Sequence, residues 1–410
     1  MNAINSTPHT PQIVIIGAGY AGMLAANRLA GRTHATVTLV NASEYFVERV
    51  RLHQQSAGKN LHRRYIPDFL NRRVNFVQGW VVGLQPAAHQ IEVQVHGQSE
   101  ILNYDYLVYA LGSHIDRDTV PGVRDYADTL DAAFTPTMYE KLKTARRLVI
   151  VGGGLTGIEA AAELAEAHPD LQVTLLTRGR LGEGLSQKGY NHLRRVFGRL
   201  HIELIERTPV TEIQVDHVVT DNQTIPFDLC LWAGSFAVPQ LAREAGIRTN
   251  PAGKILVDPY LRSLSHPDIF AIGDASSLTH RPPLRMACAT AEPLAASASD
   301  NLAALLKQQP MKEFKFGFAA QCISLGRNNG LIQRVRLDDS PVEQVLTGWA
   351  AAVFKEIICR YAFRSIQVER YLPGAYWYLK SESAAPAVVA PANVAPATAE
   401  IQAEVQHGRI

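Results

Sequence analysis

Two segments of this 410-residue chain each read as an apolar strand, a glycine-rich turn, a helix and a second strand, and the C-terminal third mixes short strands with one amphipathic helix. Together they predict an α/β fold: two Rossmann-like dinucleotide-binding domains plus a small C-terminal α+β region. The equal internal spacing of the two units carries most weight. One glycine fingerprint is often only a tight turn, whereas a matched pair is hard to obtain by chance.

In the first unit the β-branched run Gln12–Ile16 leads into Gly17-Ala18-Gly19-Tyr20-Ala21-Gly22 and then a helical pattern through Met23, Leu24, Ala26 and Leu29. Gly17 is expected to make the turn, Gly19 to let the backbone approach a pyrophosphate, and Gly22 to allow close packing of helix on strand. The helix start offers free N–H groups and a positive dipole end to phosphates. A second apolar run, 37–40, ends at Asn41, 24 positions after Gly17. An acid normally accepts hydrogen bonds from an adenosine ribose here, and Asn41 can accept one through its amide oxygen.

The arrangement returns about 135 residues later. Arg147–Val151 is the strand, Gly152-Gly153-Gly154-Leu155-Thr156-Gly157 the turn, 158–167 the helix, and Gln172–Leu176 the following strand, which ends at Thr177-Arg178.

Forty basic and 38 acidic side chains leave a net charge of +2, and no long basic run exists, which argues against a nucleic-acid partner. The clusters 62–64 and 146–147 read as solvated faces or phosphate partners. The first residues carry no signal-sequence pattern and no apolar stretch reaches the roughly 18 residues of a membrane span. A cytoplasmic location follows, in solution or peripherally on the inner face of the membrane. Cys230, Cys288, Cys322 and Cys359 form no Cys-x-x-Cys pair and no metal-ligand spacing, so no metal is expected and disulfide or sulfide chemistry is disfavoured.

Three further runs, 104–112, 227–234 and 269–274, are apolar strands ending in small residues: Ala110-Leu111-Gly112, Ala233-Gly234 and Gly273-Asp274. With the two fingerprints, they make the sequence resemble the two-dinucleotide-domain flavoprotein reductases, most closely the type II NADH dehydrogenase and apoptosis-inducing-factor-like branch. The resemblance runs from about 11 to 335, and more weakly to 378. It implies FAD at the N-terminal fingerprint and NADH or NADPH at the second. The FAD domain is then discontinuous, 11–115 and 255–310, with the NAD(P)H domain at 116–254, an interface region at 311–380 and a disordered Ala/Pro-rich tail at 381–410. It also implies FAD contacts from Asn41, Arg49, Val82 and Asp274, the last on the ribityl chain. Asp274 reads otherwise as a helix N-cap, and the preceding apolar run with Gly273 favours the flavin role. Thr177 and Arg178, with Arg180, lean towards NADPH or dual use, since Arg pairs with a 2′-phosphate that an acid would repel.

Glu159 matches the family's Gly-x-Glu position beside the stacked rings and is the candidate catalytic residue; otherwise it complements its helix dipole. Arg51 and His53 join Arg49 in a segment, 45–53, that runs beside the flavin in the family. Respiratory members carry two Gln on the acceptor side where this chain has Cys288 and Glu292. That departure leaves several readings open: an NAD(P)H dehydrogenase passing electrons to a quinone or other small acceptor, a soluble reductase of a partner such as ferredoxin, or a dinucleotide-sensing interaction protein. Cys288 reads otherwise as a small core residue and Glu292 as an exposed helix position.

In the C-terminal third, 314–335 reads as short strands with glycine turns. The stretch 349–363 is a helix with apolar residues at 349, 353, 354, 357, 358 and 361 and cations Lys355, Arg360 and Arg364. Together with 371–378 it packs on its own domain, joins a homodimer, or lies on an anionic membrane.

Overall fold

The computed structural model describes residues 9–131 and 135–381. Down the chain run β1 (Gln12–Ile16), α1 (Tyr20–Arg32), β2 (Thr36–Asn41), α2 (Leu52–Ser56), β3 (Val74–Gln78), β4 (Trp80–Gln85), β5 (Gln90–Val95), β6 (Gln98–Asn103) and β7 (Tyr106–Tyr109). Then follow β8 (Asp128–Thr129), β9 (Arg147–Val151), α3 (Leu155–Ala167), β10 (Gln172–Leu176), α4 (Gln187–Arg199), β11 (Glu203–Ile205) and β12 (Leu229–Trp232). After these come β13 (Ile269–Ala271), α5 (Cys288–Leu306), β14 (Ala320–Ser324), β15 (Gly330–Val335), β16 (Pro341–Thr347) and α6 (Trp349–Tyr371).

Two five-stranded parallel sheets result, ordered β13-β7-β1-β2-β3 and β8-β12-β9-β10-β11. Each puts its fingerprint strand in the middle, where an apolar, β-branched run can be buried on both faces. Ile16 pairs with Val40 on one side and Tyr109 on the other. Val151 pairs in the same way with Leu176 and Trp232. Strand order reverses at β1 and at β9, so the chain leaves a crevice at the carboxyl edge of each sheet, where nucleotides bind in such folds.

Helix α1 is buried nearly all round, consistent with its Ala, Gly, Leu and Met composition, and it packs against α5 and α6. Two polar side chains on it tie these elements together. Asn27 donates to the carbonyls of Phe69 and Ile366, and Arg28 pairs with Asp300 and Glu369. The buried apolar residues form two cores, one per sheet. Ala242 and Ile247, assigned to the second domain from sequence, lie in the first core instead.

The C-terminal region departs from expectation in three ways. Phe314, Phe316 and Phe318 form no strand; their rings pack on one another and on Tyr378, a use of aromatic surface that needs no ladder. A third strand, β16, completes the antiparallel sheet β14-β15-β16. Helix α6 runs on to Tyr371 and turns Ala351, Cys359, Ala362, Phe363 and Ile366 inward, while the apolar set at 349, 353, 354, 357, 358 and 361 faces outward. No helix among the described residues is long and apolar enough to cross a membrane. The predicted tail, apart from Ser381, lies outside the described residues.

Candidate active site

The three glycines of each fingerprint divide their work in the same manner. Gly17 sits at φ +96°, and a Cβ there would stand 2.5 Å from the Ala110 carbonyl oxygen; a Cβ on Gly22 would stand 1.8 Å from the oxygen of Gly17. A Cβ on Gly19 would meet nothing within 4 Å. In the second unit Gly152 (φ +127°) and Gly157 are crowded by Ala233 and by Gly152, and Gly154 again faces open space. The outer glycines are therefore demanded by the chain's own packing, while nothing in the protein demands the middle ones. A pyrophosphate fits that space. No side chain caps α1 or α3, so their first-turn N–H groups are left for it.

Around the first cradle, Asn41 at the end of β2 accepts from the Ala18 N–H at 2.9 Å and donates to the Ser43 carbonyl at 2.7 Å. Half of its amide is thus spent on holding the turn, leaving one lone pair and one N–H for a ribose. Asp274 follows β13 in a short 3-10 turn and accepts from the Ser113 hydroxyl at 2.7 Å, and Arg49 donates to the Ser113 carbonyl. These bonds bring Gly112, Ser113, Arg49 and Asp274 to one corner. Val82 sits at a bulge in β4, between Val81 and Gly83, where the ladder leaves its backbone unpaired. Tyr20 and Ala21 are buried beside the turn.

At the second cradle, Thr177 is buried and packs against Gly153, so it shapes the turn and does not project into the crevice. Arg178 is exposed. Arg180 is diverted, stacking 3.8 Å over the Tyr190 ring and donating to Gln187. Arg207, which the sequence reading passed over, stands at φ +55° and its N–H donates to the Gly179 carbonyl, which brings it beside Arg178. The exposed acid Glu183 also approaches Gly179.

Glu159, in the first turns of α3, is buried and bound from three directions. Its Oε1 accepts the Ser324 N–H at 2.9 Å and lies 3.0 Å from Lys355 Nζ, and its Oε2 is 3.8 Å from His53 Nδ1. Burial pushes the carboxyl up, but the Lys355 ammonium, His53 and the Ser324 N–H outweigh it and hold the group below its usual range. Lys355, largely but not fully covered, is kept charged by Glu159. Of the three cations the sequence gives α6, Lys355 points inward, to the Glu159 carboxylate and the Cys322 carbonyl. Burial lowers His53 to about 4, so the imidazole is neutral, and its Nε2 has no hydrogen-bond partner. Arg51 pairs with Glu48 and Glu356.

Glu292, expected on the surface, is 3 % exposed. Ser365 and Tyr376 stand beside its carboxyl, Oε1 has no partner, and burial pushes the group well above the carboxylate range. Cys288 lies one helical turn before it and is pushed up to about 12, burial again leading. Cys322 and Cys359 neighbour the same Lys355, so the fold gathers three thiols that no sequence spacing revealed. All three are raised by burial and remain protonated. Lys355, Ser324, Ser113, Arg207 and Tyr376 were invisible as site residues because no local motif marks them.

Two parallel sheets with matched phosphate cradles and a buried ionised carboxylate beside the second define an oxidoreductase with paired dinucleotide-binding domains for FAD and NAD(P)H. The chain belongs to the pyridine nucleotide-disulphide oxidoreductase family, whose profile matches residues 11–292. The type II NADH:quinone oxidoreductase of Haemophilus influenzae is 26% identical over 390 residues, covering 78% of this chain and 86% of that protein. Human Ferroptosis suppressor protein 1 is 26% identical over 367 residues, covering 82% and 94%. The solved structure of NDH2 from Plasmodium falciparum in complex with NADH shares the fold, with a TM-score of 0.76 at 15% identity over 89% of this chain and 99% of that one.

Proposed function

We propose that this protein is an FAD-dependent NAD(P)H dehydrogenase that passes electrons to a quinone. The observation that carries the reading is the pair of equivalent cradles, each with an outer glycine pair locked by the chain and a middle glycine facing open space. The flavin, when bound, supplies the two-electron chemistry between nicotinamide and acceptor. The protein's part is to hold and tune. Gly17–Gly22, Asn41, Val82, Arg49, Ala110–Gly112 and Gly273–Asp274 hold FAD, and Gly152–Gly157 with Ala233–Gly234 hold the nicotinamide dinucleotide. Glu159, anchored by Lys355, orients the nicotinamide end. The division into an FAD domain (11–115 and 255–310) and an intervening NAD(P)H domain is part of the same reading, with 241–247 moved to the first.

Arg178 and Arg207 offer two guanidiniums to a 2′-phosphate against the acid Glu183. Their balance supports use of both donors with NADPH preferred.

Quinone as acceptor is supported by the respiratory relative and by the outer face of α6. Trp349 (68% exposed), Val353, Ile357, Tyr361, Val368 and Tyr371 (72% exposed) recur at helical spacing, with Arg360 and Arg364 exposed among them. An apolar stripe edged by cations suits the surface of an anionic bilayer, where lipid-soluble quinone resides. The test is reduction of the purified yellow protein by NADH and NADPH in stopped flow, then reoxidation by quinone, together with flotation on vesicles containing an anionic lipid. A colourless protein that cannot be reconstituted with flavin overturns the reading. A protein that ignores vesicles but dimerises through Trp349 and Ile357 would assign the stripe to a homodimer.

A further inference from the structure

The two acids of this site are kept in opposite states. Glu159 has an ammonium, an imidazole and a backbone N–H beside its carboxyl. Glu292 has none of these. Facing it are Cys288 on its own helix, Tyr20 on α1, Tyr361 and Ser365 on α6, and Tyr376 beyond α6, and no ammonium or guanidinium acts on it. The Ser365 hydroxyl, which also reaches the Ala362 carbonyl at 2.8 Å, and the Tyr376 hydroxyl are the neutral hydrogen-bonding groups beside its carboxyl, and burial outweighs both. Pairs of carboxyls pushed apart in this way divide acid from base roles in enzymes.

The position of Glu292 matters as much as its state. Its helix meets the first cradle directly: a Cβ on Gly273 would lie 3.6 Å from the Ala21 Cβ and 4.0 Å from the Ala291 Cβ. Tyr20, next to the open Gly19, carries a buried hydroxyl without a partner, and Glu292 Oε1 is a second such atom in the same neighbourhood. Two orphaned polar atoms beside a cofactor cradle, each costly to leave unbonded, mark a place built for a polar ligand atom. Tyr376 is partly exposed, and its hydroxyl stands within hydrogen-bonding reach of Glu292.

We propose that Glu292 is the proton donor to the electron acceptor, with Tyr376 relaying its replacement from solvent. This rests on the reading of the acceptor as a quinone. The overall reaction, NAD(P)H + H⁺ + quinone → NAD(P)⁺ + quinol, takes up one proton beyond the one that travels as hydride. The Glu292 O–H bond breaks and its proton bonds to one quinone carbonyl oxygen, the other oxygen takes the hydrogen that left NAD(P)H as hydride together with its two electrons, and the carboxylate left behind takes a proton from solvent through the Tyr376 hydroxyl. A protonated acid in an apolar pocket is the form this step requires.

The test compares wild type with Glu292→Gln, which keeps size and hydrogen bonding but has no proton to give. Three rates are measured in stopped flow: flavin reduction by NAD(P)H, reoxidation by a short-chain benzoquinone, and reoxidation by ferricyanide, which takes electrons without protons. The expected result is a loss of about 10²-fold or more with the benzoquinone, easing as pH falls, and rates within about twofold for the other two. A readout independent of turnover is the infrared carbonyl band of a buried protonated carboxyl at neutral pH, present in wild type and missing from Glu292→Gln. Equal losses with quinone and ferricyanide, an unchanged quinone rate, or no such band in wild type would each overturn the proposal. A wild type that reduces ferricyanide but no quinone overturns the acceptor reading and the proposal together, whereas quinone turnover unaffected by Glu292→Gln overturns the proposal alone.

Discussion

Replacing Lys355 by Met removes one half of a largely covered ion pair and leaves its packing volume nearly intact. At 3.0 Å and an effective dielectric of about 20, the Lys355–Glu159 attraction is about 5–6 kcal/mol before desolvation is subtracted. Breaking such a pair from one side strands the other charge, and about 3–5 kcal/mol of stability is expected to go with it. The double variant Glu159→Gln/Lys355→Met strands nothing and should lose clearly less than the sum of the singles, by about 2 kcal/mol or more. The pH dependence supplies a sign. In wild type Glu159 is held below its unfolded value, so its contribution is present above that value and is lost as pH falls through the lowered one. In Lys355→Met burial prevails and the carboxyl rises, so the native state binds the extra proton and stability falls as pH rises. Urea unfolding of the holoprotein at several pH values, followed by tryptophan fluorescence, measures all of this. A Lys355→Met loss under about 1 kcal/mol, or strict additivity in the double variant, would refute the argument that the pair is buried and coupled.

The middle glycines give a cleaner test than the outer ones, since a side chain there meets ligand and not protein. Gly19→Val is expected to fold yet purify without flavin, and Gly154→Val to stay yellow while its KM for NAD(P)H rises at least about tenfold; absorbance and steady-state kinetics report both. Arg178→Ala should raise the KM for NADPH about tenfold or more and leave that for NADH within about twofold, with Arg207→Ala additive to it. His53 is neutral until about pH 4, so between roughly 6.5 and 4 the unfolded chain gains a proton that the native chain refuses. Stability should therefore drop by about 3 kcal/mol as pH falls through that window, and His53→Gln should flatten the drop in urea titrations.

The cradles were legible in the sequence because their causes are local. A left-handed turn at the end of a strand needs glycine at Gly17 and Gly152, and close packing of a helix on that turn needs it again at Gly22 and Gly157. Strand periodicity and length then put Asn41 and Thr177 at the two neighbouring strand ends. The aromatic segment 314–318 misread as strand for the converse reason: alternation in Phe316-Gly317-Phe318 satisfies a ring stack as well as a ladder.

What the chain's order of residues determined alone was the number of nucleotide cradles, their placement and the residues that form each turn. Tertiary structure decided the electrostatics. Periodicity groups the residues that share one side of α6, but whether that side looks inward depends on a carboxylate nearly two hundred positions earlier, which draws Lys355 in and leaves Trp349 and Ile357 outside. The state of Glu292 likewise depends on what α1, α6 and Tyr376 fail to offer it, and burial of a charge-bearing group is a property of its surroundings that no short stretch of sequence contains.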